Sequence, residues 1–253
     1  MPVPPTSVTE AELIEIFSSL QGEGPLVGFR QIFVRFARCN LDCRYCDTPF
    51  TPTEVCRVET EPGSETFRGE GNPLSLERVL DIITPWVEDH PGLHHSLSLT
   101  GGEPLLQAPL LRQWLPALRD LLPIYLETNG VLAAELSGLF EWIDYVSMDI
   151  KLPSVSGLGP LWSQHRDFLR AARDKELWAK AVFDRHTSLS EIERTAEMMA
   201  EYAPERELIL QPLTTANGIE MASRDLLEMQ QVAAAIHPRT RVIAQTHNFL
   251  GLL

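Results

Sequence analysis

A parallel α/β sheet of the partial, open barrel type is the fold class this chain predicts, and two observations carry it. Short apolar runs alternate with segments of helical periodicity, and the chemically distinctive residue clusters fall just after the runs. The predicted strands, in order, are residues 31–37, 96–100, 124–128, 145–149, 178–183, 207–212 and 241–245. Between them, residues 76–89, 109–121, 133–142, 161–173, 189–202 and 224–236 place apolar residues at helical spacing. Ser75, Ser188, Ser190 and Ser223 stand where N-caps are expected. Right-handed crossovers then give about six parallel strands, too few to close an eight-stranded barrel. Residues 15–24 read as a flexible polar loop ahead of the first strand. Residues 51–74, rich in Glu, Gly, Pro and Thr, read as an exposed loop or β-hairpin inserted into a single domain spanning 1–253. The first seven residues, with three prolines, read as a poorly ordered arm.

The 253 residues suit one barrel-type domain, and 44% hydrophobic content is enough for a core that needs no staples. Lys plus Arg number 21 against 35 Asp plus Glu, a net charge of −14. So acidic a surface repels phosphate backbones and argues against a nucleic-acid partner. No apolar run reaches the length of a membrane span, and nothing resembles a secretory signal. A cytoplasmic protein without a membrane partner is the expectation. Only four cysteines occur, so a disulfide framework is not expected.

Three of those cysteines, Cys39, Cys43 and Cys46, form a C-x3-C-x2-C run that must loop around a common centre. A zinc site wants four ligands, with Cys56 as the available fourth; a [4Fe–4S] cluster held by three thiolates leaves one iron open to a small molecule. Cys56, in a polar stretch, reads as a spare thiol. Further clusters follow successive strands: Thr100-Gly101-Gly102-Glu103-Pro104, Glu127-Thr128-Asn129-Gly130 and Asp149-Ile150-Lys151. Each alone is ordinary turn or surface chemistry. In sequence, at the strand ends where parallel α/β folds bind ligands, they describe one site.

The cysteine run, with Tyr45 before its third thiol, resembles the signature of the radical S-adenosylmethionine (SAM) enzymes, and Gly102-Glu103 resembles their GGE element. The segments FSSLQGEGPLVG and FVRFARCNLDCRYCDT narrow the resemblance to the 7-carboxy-7-deazaguanine synthase family of queuosine and deazapurine biosynthesis. The resemblance implies a [4Fe–4S] cluster on the three cysteines and SAM on its open iron, cleaved to a 5′-deoxyadenosyl radical. It implies Mg2+ on Thr48. SAM contacts would fall at Tyr45, Cys46, Asp47, Gly102, Glu103, Thr128, Asn129, Ser147, Asp149 and Lys151. Leu20, Gln21, Gly22, Glu23, Arg35, Thr100 and His247 would hold a pterin substrate. The implied reaction is that of a carbon–nitrogen lyase converting 6-carboxy-5,6,7,8-tetrahydropterin to 7-carboxy-7-deazaguanine with release of ammonia. Flavodoxin or ferredoxin as electron donor and a homodimer are implied as well. A glycyl-radical enzyme activase and a non-catalytic iron–sulfur or zinc scaffold are the alternatives. Two departures from the family pattern are Ala37-Arg38 before Cys39 and the acidic insertion.

Overall fold

The computed structural model describes residues 9–46, 48–215 and 217–252. The expected N-terminal arm and the SAM contact at Asp47 therefore lie outside the described residues. The principal strands are β1 Leu13–Leu20, β2 Arg30–Phe36, β3 Val55–Glu59, β4 Phe67–Gly71 and β5 Ser96–Gly101. They continue as β6 Ile124–Thr128, β7 Tyr145–Ile150, β8 Glu176–Phe183, β9 Glu207–Pro212 and β10 Thr240–Val242. All join one 10-stranded sheet in the order β10-β9-β8-β7-β6-β5-β2-β1-β3-β4. Successive pairings from β2 through β10 are parallel, making seven parallel strands where about six were expected. The sheet stays open between its edge strands β4 and β10, as a partial barrel requires.

The helices cover the outside: α1 Leu76–Glu88, α2 Ala108–Leu121, α3 Ala133–Ser137, α4 Pro153–Ser156, α5 Trp162–Ala172, α6 Leu189–Tyr202, α7 Ser223–Ile236 and α8 Thr246–Leu250. Ser75 caps α1 by accepting from the Arg78 amide, and Ser188 with Glu191 forms a reciprocal capping box on α6. Ser190 lies inside α6, and Ala222 holds the cap position of α7, so Ser223 is its first helical residue. The helix expected over 133–142 breaks at Gly138, a weak helix former, into α3 and a 3-10 turn at Phe140–Trp142. No helix among the described residues is long and apolar enough to cross a membrane.

Two segments differ from the sequence expectation. Residues 13–20, all but the first two of them inside the expected polar loop, form β1, which runs antiparallel to β2 with Phe17 opposite Phe33. Its Glu and Ser residues are nonetheless buried, because the strand is covered on both faces. Polarity there reflects a polar barrel interior, not solvent. The insertion is a hairpin of β3 and β4, and β3 adds to the main sheet parallel to β1. Cys56 and Val58 are fully buried in the main hydrophobic core, so Cys56 is a core residue and not a surface thiol.

Strand alternation divides the sheet into two faces. Leu97 and Leu99, Leu126, Val146 and Met148, Ala179 and Ala181, and Leu208 and Leu210 pack into the helix-covered core. Burial of each large side chain there contributes roughly 1.5–3 kcal/mol. The alternate residues point the other way and build the site.

Candidate active site

Thr100, Glu127, Ser147, Asp149, Lys180, Val182 and Gln211 project from β5–β9 into a cavity of about 810 Å³. Two residues earlier along their strands, Tyr125, Trp178 and Ile209 form a separate buried cluster, with the Tyr125 and Trp178 rings 5.5 Å apart. An aromatic layer thus closes the barrel beneath a polar chamber.

The cysteine loop rims this chamber. After β2, the Glu103 amide donates to the Arg38 carbonyl at 2.9 Å and the Gly102 amide to the Phe36 carbonyl at 3.0 Å. The loop's other end is anchored on α4, where Arg44 donates from its backbone to the Ser156 carbonyl at 2.8 Å and from Nη2 to the Ser154 carbonyl at 2.6 Å. Cys39, Cys43 and Cys46 are all free thiols lining the cavity, whereas Cys56 lies in the core and does not. Among the described residues no three His, Cys, Asp or Glu side chains close on a single metal ion. Three free thiols on one cavity rim, with Cys56 in the core away from it, fit an iron–sulfur cluster with one open iron. Burial pushes the Cys43 thiol up to about 11, so its thiolate forms as metal binds.

Gly102 is indispensable to this approach, since a Cβ there would overlap the Arg38 carbonyl of the loop backbone. Gly102→Ala is expected to displace the cysteine loop and to lower iron and sulfide content after reconstitution. The helix-covered core is untouched, so circular dichroism should stay native.

Along the same rim, the Tyr45 hydroxyl accepts from Lys151 Nζ at 3.1 Å, and Lys151 pairs with Asp149 at 2.8 Å. Burial works against the Lys151 charge, but the adjacent Asp149 carboxylate more than offsets it and holds the ammonium firmly protonated. Asp149 lines the chamber, and its Oδ1 is buried and without a hydrogen-bond partner among the described residues. Ser147, Thr128 and Asn129 line the same wall, and Asn129 Nδ2 donates to Asn40 Oδ1 of the cysteine loop at 2.8 Å. Glu103 differs from its sequence reading. Its side chain is fully buried behind the wall, accepting from Thr128 Oγ1 at 2.9 Å and from the Asn129 and Leu105 amides at 2.8 and 3.0 Å. Its carboxylate shapes the wall, while Gly102 lines it.

Opposite the cysteines stands the loop after β1. Leu20, Gln21, Gly22 and Glu23 all line the cavity, but most of their polar atoms already have protein partners. Gln21 Nε2 donates to Gln31 Oε1 at 3.0 Å and to Glu127 Oε1 at 2.9 Å, and its Oε1 accepts from the Glu23 amide at 2.9 Å. Thr100 Oγ1 donates to Glu127 Oε2 at 2.6 Å. Glu23 accepts from Gln211 Nε2 at 2.9 Å and Gln245 Nε2 at 2.8 Å and forms an ion pair with Lys180. Burial pushes the Glu23 carboxyl up, but the Lys180 charge and hydrogen bond, the Gln245 amide and the His247 charge bring it down to about 2. The tail is latched here: the Thr246 amide donates to the Gly22 carbonyl at 2.9 Å, and a Cβ on Gly22 would overlap the His247 ring.

Arg35 pairs with Glu15, Nε to Oε1 at 2.8 Å, and its Nη1 stands 3.5 Å from Thr48 Oγ1. This ion pair holds the guanidinium at the cavity wall beside Thr48. The sequence pattern singles out neither Lys180 nor Gln211, and it includes Glu15, Glu127 and Gln245 only as parts of longer segments, without roles of their own. The readable signal was a charged or amide residue interrupting an apolar strand, as in ELWAKAVF of β8.

The family model of the Radical SAM superfamily matches residues 33–203. The curated 7-carboxy-7-deazaguanine synthase of Geobacter sulfurreducens is 48% identical over 247 residues, covering 96% of this chain and 98% of the relative. The enzyme of the same name from Methanothermobacter thermautotrophicus is 34% identical over 263 residues, covering 96% and 98%. Among solved structures, QueE from Escherichia coli superposes with a TM-score of 0.59 at 22% identity, covering 95% of this chain and 96% of that one; that likeness concerns the fold. This chain belongs to the radical SAM superfamily and, within it, to the 7-carboxy-7-deazaguanine synthases.

Proposed function

We propose that this single-domain chain converts 6-carboxy-5,6,7,8-tetrahydropterin to 7-carboxy-7-deazaguanine with release of ammonia, in queuosine and 7-deazapurine biosynthesis. The observation that carries the reading is one chamber rimmed by three free thiols on one side and by the Leu20–Gly22 loop, Glu23 and the latched tail on the other. A cluster on the three thiols, with SAM at its open iron, would supply the 5′-deoxyadenosyl radical chemistry. Cys39, Cys43 and Cys46 would hold the cluster. Tyr45, Cys46, Gly102, Glu103, Thr128, Asn129, Ser147, Asp149 and Lys151 would form the SAM side, Glu103 by shaping its wall, and the family resemblance adds Asp47. Across the chamber, Glu23 and Thr100 stand beside Gln21 to meet the flat polar edge of the pterin, and Arg35 meets its carboxylate. Fixing the substrate against the cofactor matters because misplacement by about an ångström costs on the order of a hundredfold in rate.

Thr48 would hold a Mg2+ ion, which would supply positive charge for the substrate carboxylate. Thr48 lies two residues past Cys46 and on the cavity wall beside Arg35, and a hard cation with few protein ligands suits Mg2+. Thr48→Ala is expected to keep its cluster and SAM binding while the Mg2+ dependence of turnover weakens. Rates titrated against Mg2+ for both proteins check this, and identical curves would remove Thr48 as a ligand. A flavodoxin or ferredoxin as electron donor, a homodimer and a cytoplasmic setting, where thiols stay reduced, belong to the same reading. Anaerobic incubation with the carboxytetrahydropterin, SAM, Mg2+ and a reductant tests the function. Chromatography should show 7-carboxy-7-deazaguanine, and a reconstituted enzyme that forms none would refute it.

A further inference from the structure

Lys180 stands mid-strand in β8 with its side chain in the cavity wall. Its ammonium pairs with Glu23, from the loop after β1, and lies 3.6 Å from Asp149 Oδ2 on β7. The Lys180, Glu23 and Asp149 side chains are only 12%, 19% and 16% exposed. A lone charge there would be strongly disfavoured, so each of the three depends on its neighbours. The two carboxylates belong to different halves of the chamber: Glu23 to the substrate side and Asp149 to the cofactor side. Lys151 supplies Asp149 with a second cation at 2.8 Å, whereas the other hydrogen-bond donors to the Glu23 side chain, Gln211 and Gln245, are neutral amides.

We propose that Lys180 is a positioning residue that holds Glu23 as a charged acceptor for the pterin's N–H groups and ties it to Asp149 on the cofactor side. The inference rests on the proposed reading of Glu23 as a substrate contact. The other groups acting on Glu23 are His247, from α8, and Tyr125, beneath it on β6; Asp149 and Glu127 act on Lys180 itself. Without the ammonium, burial dominates and the Glu23 carboxyl rises toward the neutral form. A protonated carboxyl presents an O–H donor where the substrate needs an acceptor.

The sign of the pH effect follows. Wild-type Glu23, at about 2, stays charged throughout ordinary working pH. In Lys180→Met a raised carboxyl would be neutral at lower pH and recharge as pH rises. The experiment measures the carboxytetrahydropterin Kd anaerobically on reconstituted, SAM-loaded protein, from about pH 6 to about pH 8.5, a span in which an ordinary carboxylate is charged. Lys180→Met should bind roughly tenfold more weakly than wild type at the low end, as expected for losing a charged acceptor, and recover toward wild type at the high end. Lys180→Arg should keep the flat wild-type profile. In a Glu23→Gln background, Lys180→Met should add no further loss. Lys180→Gln serves instead if the methionine variant does not fold. Wild-type-like binding, a loss equal at every pH, or the same loss in the Glu23→Gln background overturns the inference alone. Wild-type protein that does not bind the pterin at all overturns the functional reading beneath it.

Discussion

Alanine at Cys39, Cys43 or Cys46 is expected to abolish the reconstituted cluster in each case, while Cys56→Ser keeps it. The first three thiols share one cavity rim, and Cys56 is buried on the far side of the sheet wall. The same burial gives Cys56→Ser a different consequence. A hydroxyl placed in that apolar core without a good partner should lower stability by about 1–3 kcal/mol. Iron and sulfide analysis, the anaerobic ultraviolet–visible spectrum and a denaturant midpoint together separate the two outcomes. Loss of iron and sulfide from a folded Cys56→Ser protein would make Cys56 a ligand and close the iron that SAM requires.

Arg35→Lys is expected to lower kcat/KM for the carboxytetrahydropterin by roughly ten- to a hundredfold with SAM binding unchanged. The guanidinium here does two things from one planar group. Nε engages Glu15 at 2.8 Å, while Nη1 reaches the wall beside Thr48. A lysine ammonium is a point charge and can satisfy Glu15 or the substrate, not both in that geometry. Loss of a hydrogen bond to a charged group costs on the order of 1.5–3 kcal/mol, which sets the range. Turnover like wild type in Arg35→Lys would leave Arg35 as a structural partner of Glu15 only.

The parallel frame was legible because the core-facing side of β5–β9 announces itself. Their outward residues are apolar and β-branched or Leu-rich, and the helices between them carry regular stripes. The cysteine run, GGEP, ETNG and DIK were legible because they sit at strand ends. What escaped was the barrel interior. Residues 13–20 mix Glu and Ser with Ile, Leu and Phe and run into the Gln- and Gly-rich segment 21–24, so the stretch reads as a polar loop. Here one side of it is a polar chamber, so the strand is buried throughout. For the same reason Lys180, a single charge inside the apolar run of β8, carries no sequence signal of a chamber. The hairpin over residues 55–71 joined the sheet through Cys56 and Val58, only two core residues among many polar ones. Pairings made over long sequence separations, such as Glu23 with Gln245, leave no local signal at all.

Counting product formed per SAM supplied tests the central claim most directly. With SAM held well below the carboxytetrahydropterin, in the presence of Mg2+ and reductant, a chamber that keeps substrate and cofactor in register would let each SAM serve repeatedly. The account predicts several equivalents of 7-carboxy-7-deazaguanine and ammonia per SAM. Product limited to one equivalent, or 5′-deoxyadenosine and methionine accumulating without deazaguanine, would contradict it.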